Sequence, residues 1–184
     1  RRDSAGARPA AVCGRGWTGP ARSLLRAELG IDEDRPVVGI VGRMVPVKNH
    51  ELLFDAMVLL RDRMDPAPHL IVVGSGEREH ALRSHVSDKG LEDVVHWLGW
   101  RKDLPQVSPA FDVTALTSFD EGTPVSLIES LASGTPVADL MADRPSFQEL
   151  PGTRHGSGAV SPGVLSRGNA GSGVSAICRC IFPQ

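Results

Sequence analysis

No stretch of the 184-residue chain is long and apolar enough to cross a bilayer, and residues 1–20 hold no apolar run of the length a secretory signal needs. Those first residues carry Arg, Ala, Gly and Pro without helical apolar periodicity, which fits a frayed linker better than an organellar transit peptide. Cysteine is scarce. Cys13, Cys178 and Cys180 lie far from any metal-type spacing, so neither a zinc site nor a disulfide framework is readable, and free thiols of a reducing compartment are the expectation. An excess of positive charge is also missing: a net charge of −2 excludes a protein whose affinity comes from neutralising the phosphates of nucleic acid. A small anionic ligand needs only a few local cations and stays open. From Pro151 to Gln184 there is no acidic residue, and Gly and Ser are dense. Such a segment cannot bury enough apolar surface to offset its ordering entropy. It is expected to be an irregular or disordered tail, with at most a weak strand near Val174–Ile181.

With 41% hydrophobic and 23% charged residues, the chain can build one core of ordinary size. Residues 1–35 read as a linker and one short helix, Leu24 to Leu29, closed by Gly30. Residues 36–150 carry the organised domain. Val37-Val38-Gly39-Ile40-Val41 is a continuous apolar run of strand length, as expected where both faces of a parallel sheet are covered. His50 to Arg63 follows with apolar residues at helical spacing and Asn49 at the N-cap position. The alternation repeats: strand His69–Val73, helix Glu77–Lys89, strand Val94–Leu98, a helical turn Leu104–Val107, strand Phe111–Leu116, helix Pro124–Ser133 and strand Pro136–Leu140. This predicts an α/β fold, a Rossmann-like doubly wound parallel sheet of five strands with irregular terminal segments.

In such sheets ligands bind beyond the carboxyl ends of the strands, where three polar loops fall. The first, Gly42 to Asn49, places Arg43 and Lys48 beside a helix N-terminus that already favours an anion. A diphosphate clamp and two solvated surface cations both fit that loop alone. The second, Gly74-Ser75-Gly76, is an incomplete dinucleotide fingerprint, because Glu79 stands where the third glycine would be; alone it means a tight turn. The third, Asp120 to Glu129, sets two glutamates eight residues apart around Gly122-Thr123-Pro124, with Pro124 suited to the first helical position and Val125 behind it. Carboxylates at Glu121 and Glu129 suit paired hydroxyls on either side of a phosphate, although Glu129 by itself also reads as an ordinary exposed helix residue.

Val41-Gly42-Arg43 through Lys48-Asn49-His50-Glu51, Val72-Val73-Gly74-Ser75-Gly76-Glu77, His96-Trp97-Leu98-Gly99-Trp100, and the Glu-x7-Glu of Glu121 and Glu129 followed by Ala132-Ser133-Gly134-Thr135-Pro136-Val137 together resemble the C-terminal domain of group-1 (GT4-type) glycosyltransferases of GT-B fold. The resemblance spans roughly residues 36–138 and rests on the order and spacing of four motifs. It implies one half of a GT-B fold that binds a UDP-, GDP- or ADP-sugar and transfers a hexosyl group with retention, without metal or other cofactor. No Asp-x-Asp motif stands at these loops. By position it implies catalytic roles for Arg43 and Lys48 on the donor diphosphate and for Glu121 on the donor sugar. Glu129 would hold the ribose, Gly122, Thr123, Pro124 and Val125 the turn between them, Gly42, Gly74 and Gly76 the phosphate loops, and Trp97 and Leu98, in the Trp97–Lys102 region, the nucleobase.

The resemblance also implies a sugar or lipid-linked acceptor held by an N-terminal domain that is missing here. It suggests a place in glycan, glycolipid or polysaccharide synthesis, a cytoplasmic location and peripheral membrane contact. After Pro136-Val137 the expected Gly-Gly-containing loop and further helix are replaced by Ala138 to Phe147, the pattern of a truncated or frame-shifted reading frame. The alternatives are a GT-B-type nucleotide-sugar epimerase, for which the six histidines show no acid/base grouping, and an inactive nucleotide-binding fragment.

Overall fold

The computed structural model describes residues 19–121, 123–140, 165, 166 and 177. Helix α1 (Pro20–Glu28) leads into β1 (Val37–Val41), α2 (His50–Arg63), β2 (His69–Val73), α3 (Glu79–Asp88), β3 (Val95–Gly99), the short α4 (Leu104–Val107), β4 (Val113–Leu116), α5 (Val125–Ala132) and β5 (Val137–Asp139). A two-residue strand, β6 (Leu165–Ser166), closes the sheet. Its order is β3-β2-β1-β4-β5-β6 and every pairing is parallel. The chain therefore winds outward in one direction from β1 to β3 and returns through β4, which makes the gap between β1 and β4 the topological switch point.

Helices cover both faces. Val38 and Ile40 of β1 point with Leu70 and Val72 of β2 toward Leu53, Phe54, Met57 and Leu60 of α2 and Leu82 and Val86 of α3. Val37, Ile71 and Val73 point the other way, onto Leu25 of α1, Val107 and Phe111. Gly39 sits in the middle of β1 for a packing reason: a Cβ there would come within 2.1 Å of the Phe111 ring. Leu127 of α5 packs with Leu116 and Val137 in a third cluster.

At the amino edge of the sheet, α1 is fastened by ions. Arg26 is fully buried and Asp112, just before β4, is nearly so. Arg26 Nη2 donates to Asp112 Oδ2 at 2.8 Å and Arg22 Nη2 to Asp112 Oδ1 at 2.8 Å, while the Val37 backbone N–H donates to Asp112 Oδ2 at 2.7 Å. The Arg26 guanidinium also serves the carbonyls of Ala110, Asp32, Glu33 and Arg35. Burial lowers its pKa, and the Asp112 carboxylate opposes that shift.

Several expectations shift in detail. The first helix starts at Pro20, earlier than expected, because a proline at the first helical position has no N–H to lose. Helix α5 begins at Val125, with Pro124 as its N-cap. Asn49 occupies the N-cap of α2 but makes no side-chain cap bond: its backbone is left-handed (φ 47°), which asparagine tolerates better than most residues. The segment expected to be tail supplies β6, paired to β5 at Ala138 and Asp139, and the fully buried Ile177. Strand β6 pairs with the edge of β5, and the weak strand expected near Val174–Ile181 lies, apart from Ile177, outside the described residues. The expectation of disorder, the three cysteines and most of residues 151–184 lie outside the described residues.

Candidate functional site at the carboxyl rim of the sheet

The loops after β1 and β4 meet at the switch point and are stitched together. Thr117 Oγ1 donates to the Lys48 carbonyl at 2.7 Å, and the Phe119 N–H to the Val47 carbonyl at 2.8 Å. These bonds bring together two residues 73 positions apart: Lys48 Nζ forms an ion pair with Glu121 Oε1, and Ser118 Oγ donates to the same oxygen. Both ionic side chains are partly buried, at 26% and 13% exposure. A basic and an acidic group, each expected from sequence to meet a donor, thus neutralise one another at the strand ends. The loop that carries Lys48 leads directly into α2, and the N-terminus of a helix favours an anion.

On the other side of β1 the loops after β1, β2 and β3 enclose a cleft of about 520 Å³ lined by Gly42, Arg43, Gly74, Ser75, Trp100, Arg101 and Leu104 among others. The size suits a small organic anion. Arg43 is exposed and carries no ion pair among the described residues. The glycines are explained by how tightly the loops approach. Gly74 has φ 138°, and a Cβ there would stand 1.9 Å from the Gly42 carbonyl oxygen; one on Gly76 would stand 2.5 Å from that of Met44. Backbone bonds hold the approach: the Gly42 N–H reaches the Val73 carbonyl at 2.9 Å, Met44 reaches Ser75 at 3.0 Å, and Gly74 reaches Gly99 at 2.7 Å. Gly74 and Gly76 are therefore required first for loop packing, and Gly42 and Gly74 also floor the cleft.

Trp97 and Leu98 do not line this cleft. Trp97 packs against the core, edge-on to Phe54 at 5.9 Å between ring centroids, with the Arg83 guanidinium 4.6 Å from its ring. Leu98 joins the opposite apolar cluster. Strand β3 continues to Gly99, so both residues are still within it, and Gly99 with φ 65° turns the chain so that Trp100 becomes the first loop residue. Trp100 is 66% exposed, with Lys102 Nζ 5.2 Å from its ring. Arg101 is held by Asp103 through bonds of 2.8 and 2.6 Å, which raise the pKa of the guanidinium and lower that of the carboxyl. Trp100 and Arg101 fall in the Trp97–Lys102 region and Ser75 in the Gly74-Ser75-Gly76 loop that the sequence singled out, whereas Leu104 is a lining residue that sequence reading did not mark for a ligand.

Glu129 is the fifth residue of α5 and is exposed; Thr123 and Val125 are exposed and Pro124 is half-buried. Gly122 lies outside the described residues. Among the described residues no three His, Cys, Asp or Glu side chains gather into a group able to hold a metal ion, and no helix is long and apolar enough to cross a membrane.

With this geometry in view, residues 21–149 match the family described as glycosyl transferases group 1. The lipopolysaccharide core biosynthesis glycosyltransferase LpsE of Rhizobium meliloti is 32% identical over 130 residues, 71% of this chain and 37% of LpsE. The D-inositol 3-phosphate glycosyltransferase of Nocardia farcinica is 37% identical over 131 residues, 66% of this chain and 28% of that enzyme. Among solved structures, HepE of Anabaena in complex with UDP and glucose superposes with a TM-score of 0.60 at 30% identity, over 69% of this chain and 35% of HepE. The chain thus spans well under half the length of the relatives it matches.

Proposed function

The chain belongs to the group 1 glycosyl transferases, and on that premise we propose that its carboxyl rim binds a nucleotide sugar through the diphosphate and serves the transfer of the hexosyl group to an acceptor. The observation that carries this reading is the meeting of two loops at the strand ends: Lys48 stands just before α2 with Glu121 within its reach, and Arg43 of the same loop lines the cleft on the other side of β1. A nucleotide sugar needs such a place, where cations and a helix N-terminus meet the phosphates and a carboxylate meets the sugar.

As the bond to the sugar breaks, negative charge grows on the departing nucleoside diphosphate. Arg43, Lys48 and the amides of α2 face that charge, so they stabilise the transition state more than the ground state. The same cations do for the leaving group what a metal would do, and on that chemistry we take transfer to be metal-independent and free of other cofactors. Retention of configuration follows from the resemblance to GT4-type enzymes, and the anomeric coupling in the product of the full-length protein tests it. The cleft beside Trp100 and Arg101 is the place for the nucleobase and Glu129 for the ribose. The acceptor, sugar or lipid-linked, would be met by an N-terminal domain, with the protein cytoplasmic and in peripheral contact with the membrane. HepE, solved with UDP and glucose, supports a UDP-sugar.

Calorimetry on this chain tests the premise of the site. UDP should bind more tightly than UMP, and GDP more tightly than GMP, because the clamp acts on the second phosphate. Equal affinities within each pair would mean that Arg43 and Lys48 are solvated surface cations.

A further inference from the structure

One buried polar atom at the carboxyl rim has no part in the donor site as described. His50, the first residue of α2, is 1% exposed, and its Nε2 has no hydrogen-bond partner. An unpartnered buried nitrogen is costly enough that it calls for a reason. The ring borders a crevice of about 10 Å³ shared with Gly42, Lys48, Thr117 and Ser118, at the seam between β1 and β4. That is room for about one water molecule, and the walls offer the polar partners a bound water needs. The imidazole is neutral: burial lowers its pKa to about 4, with Lys48 and Arg78 pushing the same way and the Glu51 carboxylate opposing them. A neutral ring presents one donor and one acceptor, so Nε2 serves a water in either tautomer.

We propose that His50 is a positioning residue of the nucleotide-sugar site, its Nε2 tied through one water in this crevice to the loops of Lys48 and Ser118. The bridge completes the seam whose protein half is the Thr117 hydroxyl on the Lys48 carbonyl. It holds Lys48 where the diphosphate arrives, and it rests on the donor-site reading above.

The test compares UDP binding by the full chain with that of His50→Met and His50→Gln. Met fills the volume without a polar atom; Gln carries a terminal amide that can reach the water. His50→Met should lose about fivefold in UDP affinity, the worth of one ordinary or water-mediated hydrogen bond, and His50→Gln should recover most of it. If His50 were merely an unsatisfied core residue, His50→Met would melt higher and bind UDP as the wild type does, which would overturn the proposal. Should the Met variant not fold, the wild-type protein decides: nitrogen-edited spectra should show the His50 ring cross-relaxing with a long-lived water, and a dry ring overturns the bridge. Failure of UDP to bind the wild type would remove the donor reading and with it the role of His50, while the spectra still settle whether the water is there.

Discussion

The pairing of Lys48 with Glu121 gives the two glutamates different signatures. On the proposed donor site, a nucleoside diphosphate would compete with Glu121 for Lys48, whose ammonium already serves the carboxylate. Glu121→Gln should therefore release Lys48 and tighten binding of UDP alone by about 0.5 kcal/mol, the scale of a partly exposed ion pair. The same variant should weaken the nucleotide sugar, whose sugar loses its carboxylate. Calorimetry with UDP and UDP-glucose on one variant reads both signs; weaker binding of UDP would mean that Glu121 supports the phosphate site. Glu129, exposed on α5, has no such partner among the described residues. Glu129→Gln should weaken UDP and UDP-glucose alike by about 1–3 kcal/mol, as expected for hydrogen bonds from hydroxyls to a charged acceptor. The Glu-x7-Glu spacing marked both residues in the sequence, but the contact of Glu121 with a lysine 73 residues away is set by strand order, which no local spacing encodes.

Among the elements, α1 and the rims of β1, β2 and β3 carry the clearest consequences. Replacing Arg26 by Met would leave Asp112 with Arg22 and the Val37 N–H and take the guanidinium away from four carbonyls, so urea denaturation should show a loss of about 3–5 kcal/mol. The histidines of β2 and β3 set a pH response. His69 Nδ1 and His96 Nε2 lie 2.9 Å apart on neighbouring strands, and burial lowers the pKa of both, His69 to about 4. The unfolded chain takes up both protons near pH 6.5, whereas the folded chain takes up that of His69 only near 4 and holds that of His96 below its ordinary value. Their contribution to stability is full above pH 6.5 and is lost as pH falls toward 4. Melting temperature should drop over that interval, and less steeply in the double variant His69→Gln, His96→Gln. Element positions were legible because they rest on local pattern. The apolar run of β1 and the periodicity of α2 match the structure to the residue. Ends moved where a tertiary contact decides: β3 runs on to Gly99 beside β2, and Trp97, within that strand, packs on the core rather than facing the cleft.

At the scale of the whole molecule, the two tryptophans of the β3 region report on different things. Trp97 belongs to the core and Trp100 to the cleft. UDP should change the emission of Trp100, and Trp100→Phe should abolish that change while unfolding followed at Trp97 stays the same; a response that survives the substitution would place the nucleotide elsewhere. The doubly wound sheet was legible from the alternation of elements. Its order, and hence the switch point, was not, because order is decided by which strands share a core. That order separates two kinds of residue. The ionic fastening of α1 sits at one end of β1 and the ligand cleft at the other, about 16 Å apart for a strand of this length. Changes that far apart with no shared partner tend to act independently. Selection can therefore retune Trp100 and Arg101 for a new ligand while leaving the fastening of α1 untouched, whereas Leu104 also packs on the core beside Leu25; a library randomised at Trp100 and Arg101 should retain mostly folded members.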